Sequence, residues 1–474
     1  MITKMKNSLV ATIAALLALS GSLSAQQTYT VTAREAIDLA LKNVIELKNL
    51  NLDYKMQEAQ NKEITGQAYP QLNGSLSGSH YFAIPVTTIP DFISPAVYGV
   101  LNKEGVKDGN GNVIPLPDPS SVQYFPARFG VPWAASAGFT LQQMLFQSDV
   151  FVGLKARSTA LEYAQQNIRV SEDKVKQNVL TAYWAVLIAQ KQLVLTNDSK
   201  VRIEKLSHDN QIMYQNGFAE KLDIDRIQVS LNNIESAIAQ LDNVLKLGYA
   251  SLKQNMGLNQ KDSLVLKDSL NIDLLKADVL DEGSFRYEDR NEIQLLSKSK
   301  RLLELDLQRY KLAYVPTLSA FWNFAESAQR NDFDFIRSGA QYPWFQTSQV
   351  GVNMSIPIFD GFQRSNRVKQ AKFNLEKMLN NIDQTKQSID LQQVSTKGSL
   401  KANLLAFDIQ TKNLTLAESV YNTTKKKFEQ GVGSSFEVIT AENDLQTAQS
   451  NYFEALYKAT LAKIDYLRAL GRLK

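Results

Sequence analysis

Two carboxylates at matching positions are the residues with the clearest potential for chemistry. Asp223 follows Gly217 by six residues and Glu437 follows Gly431 by six, so the two acids lie 214 residues apart (437 − 223). Carboxylates that crowd at one level of a narrow passage attract cations and repel anions. Two solvated acids that stabilise helix N-termini through the helix dipole would give the same pattern. The sequence leaves both interpretations open.

The glycine turns before these acids are a second candidate site. Gly217 is followed by Phe218, and Gly431 and Gly433 flank Val432. Glycine commonly ends a helix, so each turn is expected to connect two helices and to expose its apolar residue. These five residues could contact a partner protein, or they could pack tip to tip within one assembly.

Few residues of the chain are candidates for enzyme chemistry. The chain has no cysteine, and its two histidines, His80 and His208, lack metal-ligand spacing. Gly431-x-Gly433 lacks the third glycine and the preceding strand of a dinucleotide loop. No nucleophile comes with a recognisable base. We therefore expect no catalytic residue, no metal site and no cofactor, and a protein that is not an enzyme.

Most of the chain consists of two similar segments. Residues 215–224 resemble residues 429–438, and Leu161-Glu162 recurs as Leu375-Glu376 at the same offset of 214. Farther upstream, Pro70-Gln71-Leu72 resembles Pro316-Thr317-Leu318 at an offset of 246. The first copy therefore carries an insertion of about 33 residues between Ile84 and Pro132, which its many Pro and Gly residues predict to be a surface loop.

The N-terminus has the pattern of a secretory signal peptide. Lys4 and Lys6 precede a mostly apolar run that ends in small residues near Ala25. Removing these two lysines lowers the formal charge from +4 to +2, so nothing indicates a nucleic-acid partner. After the signal, no apolar run approaches the roughly 18 residues of a membrane helix. If the exported chain enters a membrane, we expect it to do so as a β-barrel.

Proline marks two windows in an otherwise helical chain. All twelve prolines lie within 70–132 or 316–357, which predicts two non-helical zones. Residues 149–216 and 362–430 contain one glycine each and could form helices of about 100 Å. Within the proline windows, apolar and polar residues alternate in four stretches, each close to the length of a tilted membrane strand. Three tryptophans, Trp133, Trp322 and Trp344, lie in or beside these strands, as an aromatic girdle at a membrane interface requires.

Four strands cannot close a barrel alone. A bilayer tolerates no open sheet edge, so several copies of the chain must each contribute four strands. At this point the chain resembles the TolC-type outer membrane efflux proteins. The resemblance rests on the Pro-x-Leu start of each hairpin, the exit Ile356-Pro357-Ile358-Phe359-Asp360-Gly361, and the duplicated glycine turns, the second of which is followed by Phe436-Glu437-Val438. One departure is Asn43-Val44, where many members have Asn-Pro.

The resemblance implies a fold and a role. The fold class is an α+β membrane protein whose long helical hairpins form a helical barrel, and three sets of four strands close a twelve-stranded β-barrel. The implied role is a passive exit duct for small toxic compounds, working with a periplasmic adaptor protein and an inner-membrane transporter. Asp223 and Glu437 would then form a periplasmic constriction, and the five turn residues would contact the adaptor. Alternatives are the outer membrane component of a type I protein secretion system and, in a different class, a periplasmic coiled-coil scaffold without a pore.

The expected domains follow from the repeat. They are a signal peptide (1–25), a first repeat (26–257) with a helix, a hairpin (71–146, loop 85–132), a long helix (149–216) and a helix (219–256), a linker or equatorial segment (258–285), and a second repeat (286–474) with a helix, a hairpin (317–358), a long helix (362–430) and a helix (434–470). The expected location is the outer membrane of a Gram-negative-type bacterium, with an extension into the periplasm.

Overall fold

The computed structural model describes residues 28–118, 120, 122–269 and 285–473. The expected signal peptide lies outside these residues, and so do positions 270–284 of the expected linker. The elements are β1 (Thr28–Val31), α1 (Ala33–Asn43), α2 (Ile45–Gln67), β2 (Gln71–His80), β3 (Val86–Pro90), α3 (Ile93–Lys103), β4 (Tyr124–Arg128), β5 (Trp133–Phe146), α4 (Ser148–Gln215), α5 (Lys221–Asn255), β6 (Ser263–Leu266), a 3-10 turn (Tyr287–Asp289), α6 (Asn291–Leu312), β7 (Thr317–Arg330), β8 (Phe345–Ser355), α7 (Gln363–Glu429) and α8 (Ser435–Ala469).

The chain forms two compact units. One contains residues up to Gln60, Ala156–Leu307 and Lys369 onwards, and the other contains Asn61–Lys155 and Gln308–Val368. The first unit is helical apart from the pair β1–β6, and the second holds the other strands.

Four long helices make the core of the helical unit. In one cluster, Ile203 of α4 and Ile227 of α5 are buried with Tyr421 of α7 and Val438 of α8. A second cluster adds Phe407 and the small residues of α8 that let the helices approach. The buried residues of α8 recur at helical spacing along its whole length. Each helix therefore buries one stripe against its neighbours, which holds the four helices side by side.

The helical unit also contains a feature that the sequence did not reveal. β1 pairs in parallel with β6, with Thr28 opposite Ser263 and Val31 opposite Leu266. Asp268, just after β6, accepts a hydrogen bond from the backbone N–H of Ala33 at the start of α1 (2.7 Å). The pair thus covers one end of α1, and the described part of the segment 258–285 is fixed to the N-terminal part of the chain.

The four expected strands form one sheet in the second unit. Its order is β2-β5-β7-β8, and each pair is antiparallel. Phe139 of β5 lies opposite Phe324 of β7, and Trp322 lies opposite Val350 of β8. Successive residues of a strand point to opposite faces, so this register puts the apolar alternates of all four strands on one face.

The two faces of this sheet differ sharply in chemistry. The apolar face carries Leu72, Leu76, Ala137, Phe139, Leu141, Leu318, Ala320, Trp322, Phe324, Val350, Val352 and Met354. The opposite face, here called the polar face, carries Ser, Thr, Asn and Gln with a few Ala, Gly and Phe and one Met, and no charged residue lies on it within these strands. The charged strand residues, Glu326 and Arg330, lie on the apolar face toward the end of β7.

The connection expected as a loop at 85–132 has its own secondary structure. β3 and β4 form an antiparallel hairpin, with Val86 opposite Arg128, and α3 lies between them in sequence. Asp91 accepts hydrogen bonds from the backbone N–H groups of Ile93 and Ser94, and these bonds start α3. Pro90 and Pro126 lie inside the short strands β3 and β4, and Pro95 lies in the first turn of α3, which are positions where a missing N–H is tolerated.

One sequence expectation about hydropathy needs correction. Among the described residues, α4 is long and apolar enough, by composition, to cross a membrane, with a mean hydropathy of 1.3 in its most apolar window. The helix uses this character for packing, because Val179, Tyr183 and Val186 of α4 are buried against α1, α5 and β1. Length and mean hydropathy alone therefore do not distinguish a buried core helix from a membrane helix.

Candidate functional site

Both glycine turns have the same local geometry. At the end of α4, Phe218 N–H donates to the Met213 carbonyl (2.8 Å) and Gly217 N–H donates to the Tyr214 carbonyl (3.0 Å). At the end of α7, Val432 and Gly431 repeat these bonds (3.0 and 2.9 Å). This is the Schellman arrangement, which needs a residue with positive φ, and φ is 74° at Gly217 and 73° at Gly431.

The apolar residues of the turns are exposed in the described chain. Phe218 is 79% exposed and Val432 is 75% exposed. Gly433 is the exception among the five turn residues, because a Cβ atom there would meet the backbone of Phe428 at 3.1 Å. The structure thus places Phe218 and Val432 where a partner could reach them, and Gly433 where the turn folds back onto α7.

The two candidate carboxylates lie in the first turns of the helices that follow. Asp223 lies in α5 and is partly buried, with its carboxylate 3.9 Å from the Arg226 guanidinium. Glu437 lies in α8 and is exposed, and its backbone N–H donates to the Ser434 side chain (3.3 Å), which caps the helix. The two acids thus have equivalent sequence positions but different surroundings.

Arg226 connects these two helices. Its guanidinium lies over the ring of Phe436 at 4.7 Å, so one side chain contacts both Asp223 of α5 and the residue before Glu437 in α8. A cation over an aromatic face is attracted by the ring quadrupole. The sequence did not reveal this contact, because a contact between residues 210 positions apart leaves no local pattern.

A groove lies between α5 and α8 at this level. Its volume is about 410 Å³. Four of its ten lining residues are apolar, and Ser230 donates to Asn443 across it (3.1 Å). The lining residues are Leu222, Asp225, Arg226, Val229, Ser230, Asn233, Phe436, Ile439, Thr440 and Asn443.

A buried ion pair anchors α8 just beyond the candidate site. Both carboxylate oxygens of Glu442 accept from Arg202 of α4, at 2.7 and 2.9 Å, and the Glu442 side chain is fully buried. Arg202 also lies 5.4 Å from the Tyr421 ring of α7. Burial lowers the pKa of Arg202, but its hydrogen bond and attraction to Glu442 outweigh burial and raise the pKa overall. This cluster joins three helices and fixes the position of the first turns of α8.

The tryptophans of the sheet unit lie at different levels. Trp133 packs against His80 (4.2 Å between ring centroids) and Phe333 (5.2 Å) at the loop end of the sheet. Trp344 lies just before β8, with its ring 6.2 Å from that of Phe335. Trp322 is within the apolar face, 41% exposed, and donates its indole N–H to Ser348 (3.1 Å). Two of the three are therefore at one end of the sheet, and Trp322 is nearer its middle.

The polar face contains one aromatic contact. Phe321 of β7 is in register with Gly351 of β8, and a Cβ atom added to this glycine would meet the Phe321 ring at 2.5 Å. The glycine thus leaves room for the ring to lie flat on the neighbouring strand. No titratable group lies on this face within the four strands, which makes it suited to line a water-filled passage and unsuited to acid–base chemistry.

Comparison with known proteins gives these features a context. Residues 306–472 match the family described as "Outer membrane efflux protein". Outer membrane protein TolC of Vibrio cholerae serotype O1 is 20% identical over 340 residues, which cover 71% of this chain and 77% of that protein. The chain is therefore similar to the TolC-type outer membrane efflux proteins. The alkaline protease secretion protein AprF of Pseudomonas aeruginosa is a further relative, 21% identical over 71% of this chain and 68% of its own length.

Solved structures of TolC-type channels have the same fold. CusC superposes with a TM-score of 0.70 at 16% identity, covering 93% of this chain and 92% of its own. The outer membrane channel CmeC of Campylobacter jejuni gives a TM-score of 0.69 at 16% identity, covering 93% and 85%. The α+β fold class with long helices and a four-stranded sheet is therefore confirmed.

This similarity bears on several expectations. The expected outer membrane location is confirmed, and the family that the chain resembles consists of channel proteins and not of enzymes. These relatives support the channel interpretation over the scaffold alternative. The roles of Asp223, Glu437, the five turn residues and the three tryptophans stay predictions, as do the domain boundaries.

Proposed function

We propose that three copies of this chain form the passive exit duct of a tripartite efflux system for small toxic compounds. TolC-family channels are homotrimers that work with adaptor proteins and inner-membrane pumps. The energy for export then comes from the pump, and the duct supplies a continuous aqueous route. This role fits a chain in which the sequence offers no nucleophile with a base.

One observation carries this proposal: a four-stranded sheet with one apolar face, one uncharged polar face and two open edges. β2 and β8 are the outer strands, and nearly all of their residues are exposed on both faces. In a bilayer every backbone polar group of a strand must be paired. Three copies joined edge to edge, β2 to β8, would satisfy both edges and make twelve strands, with the apolar face toward lipid and the polar face toward water.

The helix tips would provide the selective end of the duct. In a trimer, Asp223 and Glu437 supply six carboxylates at the two equivalent turns, and such a ring favours cations. Arg226 would offset part of this charge and hold α5 against α8 through Phe436. Phe218 and Val432 would remain free for contact with the periplasmic adaptor.

The mass of the detergent-extracted mature protein tests the assembly. Native mass spectrometry should give three chains, and planar-bilayer recordings of the same sample should show a long-lived pore. A monomer that stays soluble without detergent would contradict the proposal.

A second candidate is the outer component of a type I protein secretion system. The relative AprF is a secretion protein for alkaline protease, at an identity similar to that of TolC. Co-purification with cross-linking separates the two roles, because an efflux duct should capture a drug or metal pump and a secretion duct should capture a protein exporter.

A further inference from the structure

The insertion of the first repeat presents an apolar surface that its own chain does not cover. Ile93, Val97 and Val100 lie at i, i+4 and i+7 on α3, so they form one stripe along the helix. These side chains are 54%, 50% and 61% exposed, and no residue of α3 is buried. Below, this set of three is called the α3 stripe.

Hydrogen bonds hold the described part of the insertion that follows α3. Asn102, at the end of α3, donates its side-chain N–H to the Ile114 carbonyl (2.7 Å), and Ile114 N–H donates to the Val106 carbonyl (3.0 Å). Asp108 accepts from the N–H groups of Asn110 and Asn112 (both 2.9 Å). These hydrogen bonds connect polar groups of the insertion to one another. The α3 stripe takes no part in them and stays exposed in the described chain.

The position of the insertion indicates which surface of a neighbouring copy could cover the stripe. The insertion begins where the edge strand β2 ends, and the ladder continues one step beyond the strand, with Tyr81 N–H donating to the Pro132 carbonyl (2.7 Å). β2 runs toward the loop end of the sheet and β8 runs away from it, since β2-β5-β7-β8 are successively antiparallel. If β2 pairs with β8 of the next copy, the end of β2 therefore meets the start of that copy's β8.

The segment just before β8 is itself incompletely buried. Phe333 packs edge-on against Trp133 yet is 65% exposed, and Ile336 is 92% exposed. Arg330 holds the segment to the sheet through an ion pair with Asp334 (3.6 Å). An isoleucine this exposed, three residues after a mostly exposed phenylalanine, forms an apolar projection of the size that a helix stripe can cover.

We propose that the α3 stripe of one copy packs against Phe333 and Ile336 of the neighbouring copy in the trimer. The contact continues the β2–β8 edge pairing beyond the sheet and joins the loop ends of adjacent copies into a collar. It rests on the proposed trimeric duct. The second repeat has no equivalent of α3 in residues 331–344, so each junction between copies contains one insertion and one short connection.

Cysteine cross-linking tests this contact. The chain contains no cysteine, so only the introduced thiols can form disulfide bonds. The Val97→Cys, Ile336→Cys double variant should form covalent dimers and trimers on oxidation in outer membranes, seen on a denaturing gel. Each single variant should remain monomeric on that gel, since the contact joins two different residues. The matched control is Asn110→Cys with Ile336→Cys, which places the thiol on the polar side of the insertion and should not cross-link.

A charge in the stripe gives a second measurement. Val97→Asp should lower the temperature at which the detergent-extracted trimer dissociates by about 5 °C or more, and Asn110→Asp should leave it unchanged. A trimeric native mass combined with no cross-linking, free maleimide labelling of Val97→Cys and an unchanged dissociation temperature would overturn the contact and leave the duct intact. A cross-link that migrates as a monomer would also overturn it. A monomeric native mass for the unmodified protein would overturn the proposed function itself, and the contact with it.

Discussion

Gly257 lies so close to Asn43 that a Cβ atom on the glycine would be 2.7 Å from the Asn43 carbonyl carbon. The second repeat has the same relationship, with a Cβ on Gly471 only 2.7 Å from the Asp289 carbonyl oxygen. The two glycines are 214 residues apart and their two partners are 246 apart, which are the two offsets of the sequence repeat. Each repeat therefore ends against the residues just before a helix, α2 in the first repeat and α6 in the second.

This contact predicts a large effect of a small substitution. Gly257→Ala and Gly217→Ala both force alanine to positive φ (67° and 74°), but a Cβ meets nothing within 4 Å at Gly217. We expect Gly257→Ala to lower the free energy of unfolding by about 1–3 kcal/mol more than Gly217→Ala. The reason is that only the alanine at position 257 also pushes against the backbone of Asn43. Chemical denaturation of both variants in detergent measures the difference. Equal losses would mean that helix α1 moves freely away from Gly257.

The Arg202–Glu442 pair predicts non-additive substitutions. Glu442→Gln leaves the Arg202 guanidinium without its charged partner and should lower the free energy of unfolding by about 2–3 kcal/mol. The equivalent residues in the other repeat are Leu416 and Gln228, both exposed, so the double variant Arg202→Leu, Glu442→Gln copies a pair that the chain already uses. It should be more stable than Glu442→Gln alone. A double variant that loses the sum of the two single losses would show that the two side chains act independently.

The candidate constriction predicts a change in ion selectivity. Replacing Asp223 and Glu437 together with Ala should weaken divalent-cation block of the pore by about tenfold or more and move the reversal potential in a KCl gradient toward zero, because six carboxylates leave one level of the trimer. Asp225→Ala removes a neighbouring carboxylate from the groove and serves as the control. Unchanged block in the double variant would assign the two acids to helix stabilisation only.

The two sheet faces predict opposite effects for adjacent residues. Thr140→Lys places a charge on the polar face, where we expect a stable pore with greater anion preference. Phe139→Lys places the same charge on the apolar face and should destabilise the inserted protein by about 2–4 kcal/mol near the bilayer midplane. Urea unfolding in lipid vesicles and bilayer recordings measure the two effects. Similar destabilisation by both would contradict the assignment of the faces.

Glu292 predicts a pH dependence of stability. Burial raises the pKa of this carboxyl, but the hydrogen bonds and charge of Arg290 outweigh burial and lower the pKa below its usual value. A lowered folded-state pKa adds stability above the unfolded-state pKa of about 4.3, and this stability disappears as the pH falls through the folded-state pKa. Glu292→Gln should therefore cost about 1 kcal/mol at pH 7 and almost nothing in strong acid.

The equivalent residue in the first repeat provides the control for this measurement. Glu46 lies 246 residues before Glu292, and its side chain is 51% exposed. Glu46→Gln should change the thermal midpoint less than Glu292→Gln at pH 7. A Glu292 variant whose deficit persists undiminished at pH 3 would point to lost packing in place of lost charge.

Sequence reasoning succeeded where the signal is local. Alternation over ten residues predicted strands near Trp133 and Trp322, and the absence of proline predicted long helices such as α4. It failed for β1 and β6, because four-residue strands are too short to show a period, and for the secondary structure inside 85–132. It also missed Arg226, Arg202 and Glu442, whose partners lie more than 200 residues away.

The sequence by itself determined the duplication, the order of helices and strands, and the two glycine turns, because each of these depends on neighbouring residues and on backbone preference. The tertiary structure alone decided which strands pair and in what register. This register places the alternating apolar positions of all four strands on one face. It also decided that Arg226 of α5 lies over the ring of Phe436 of α8. The physical reason is that packing selects among partners distant in the chain, and a local period of two or 3.6 residues carries no information about that selection.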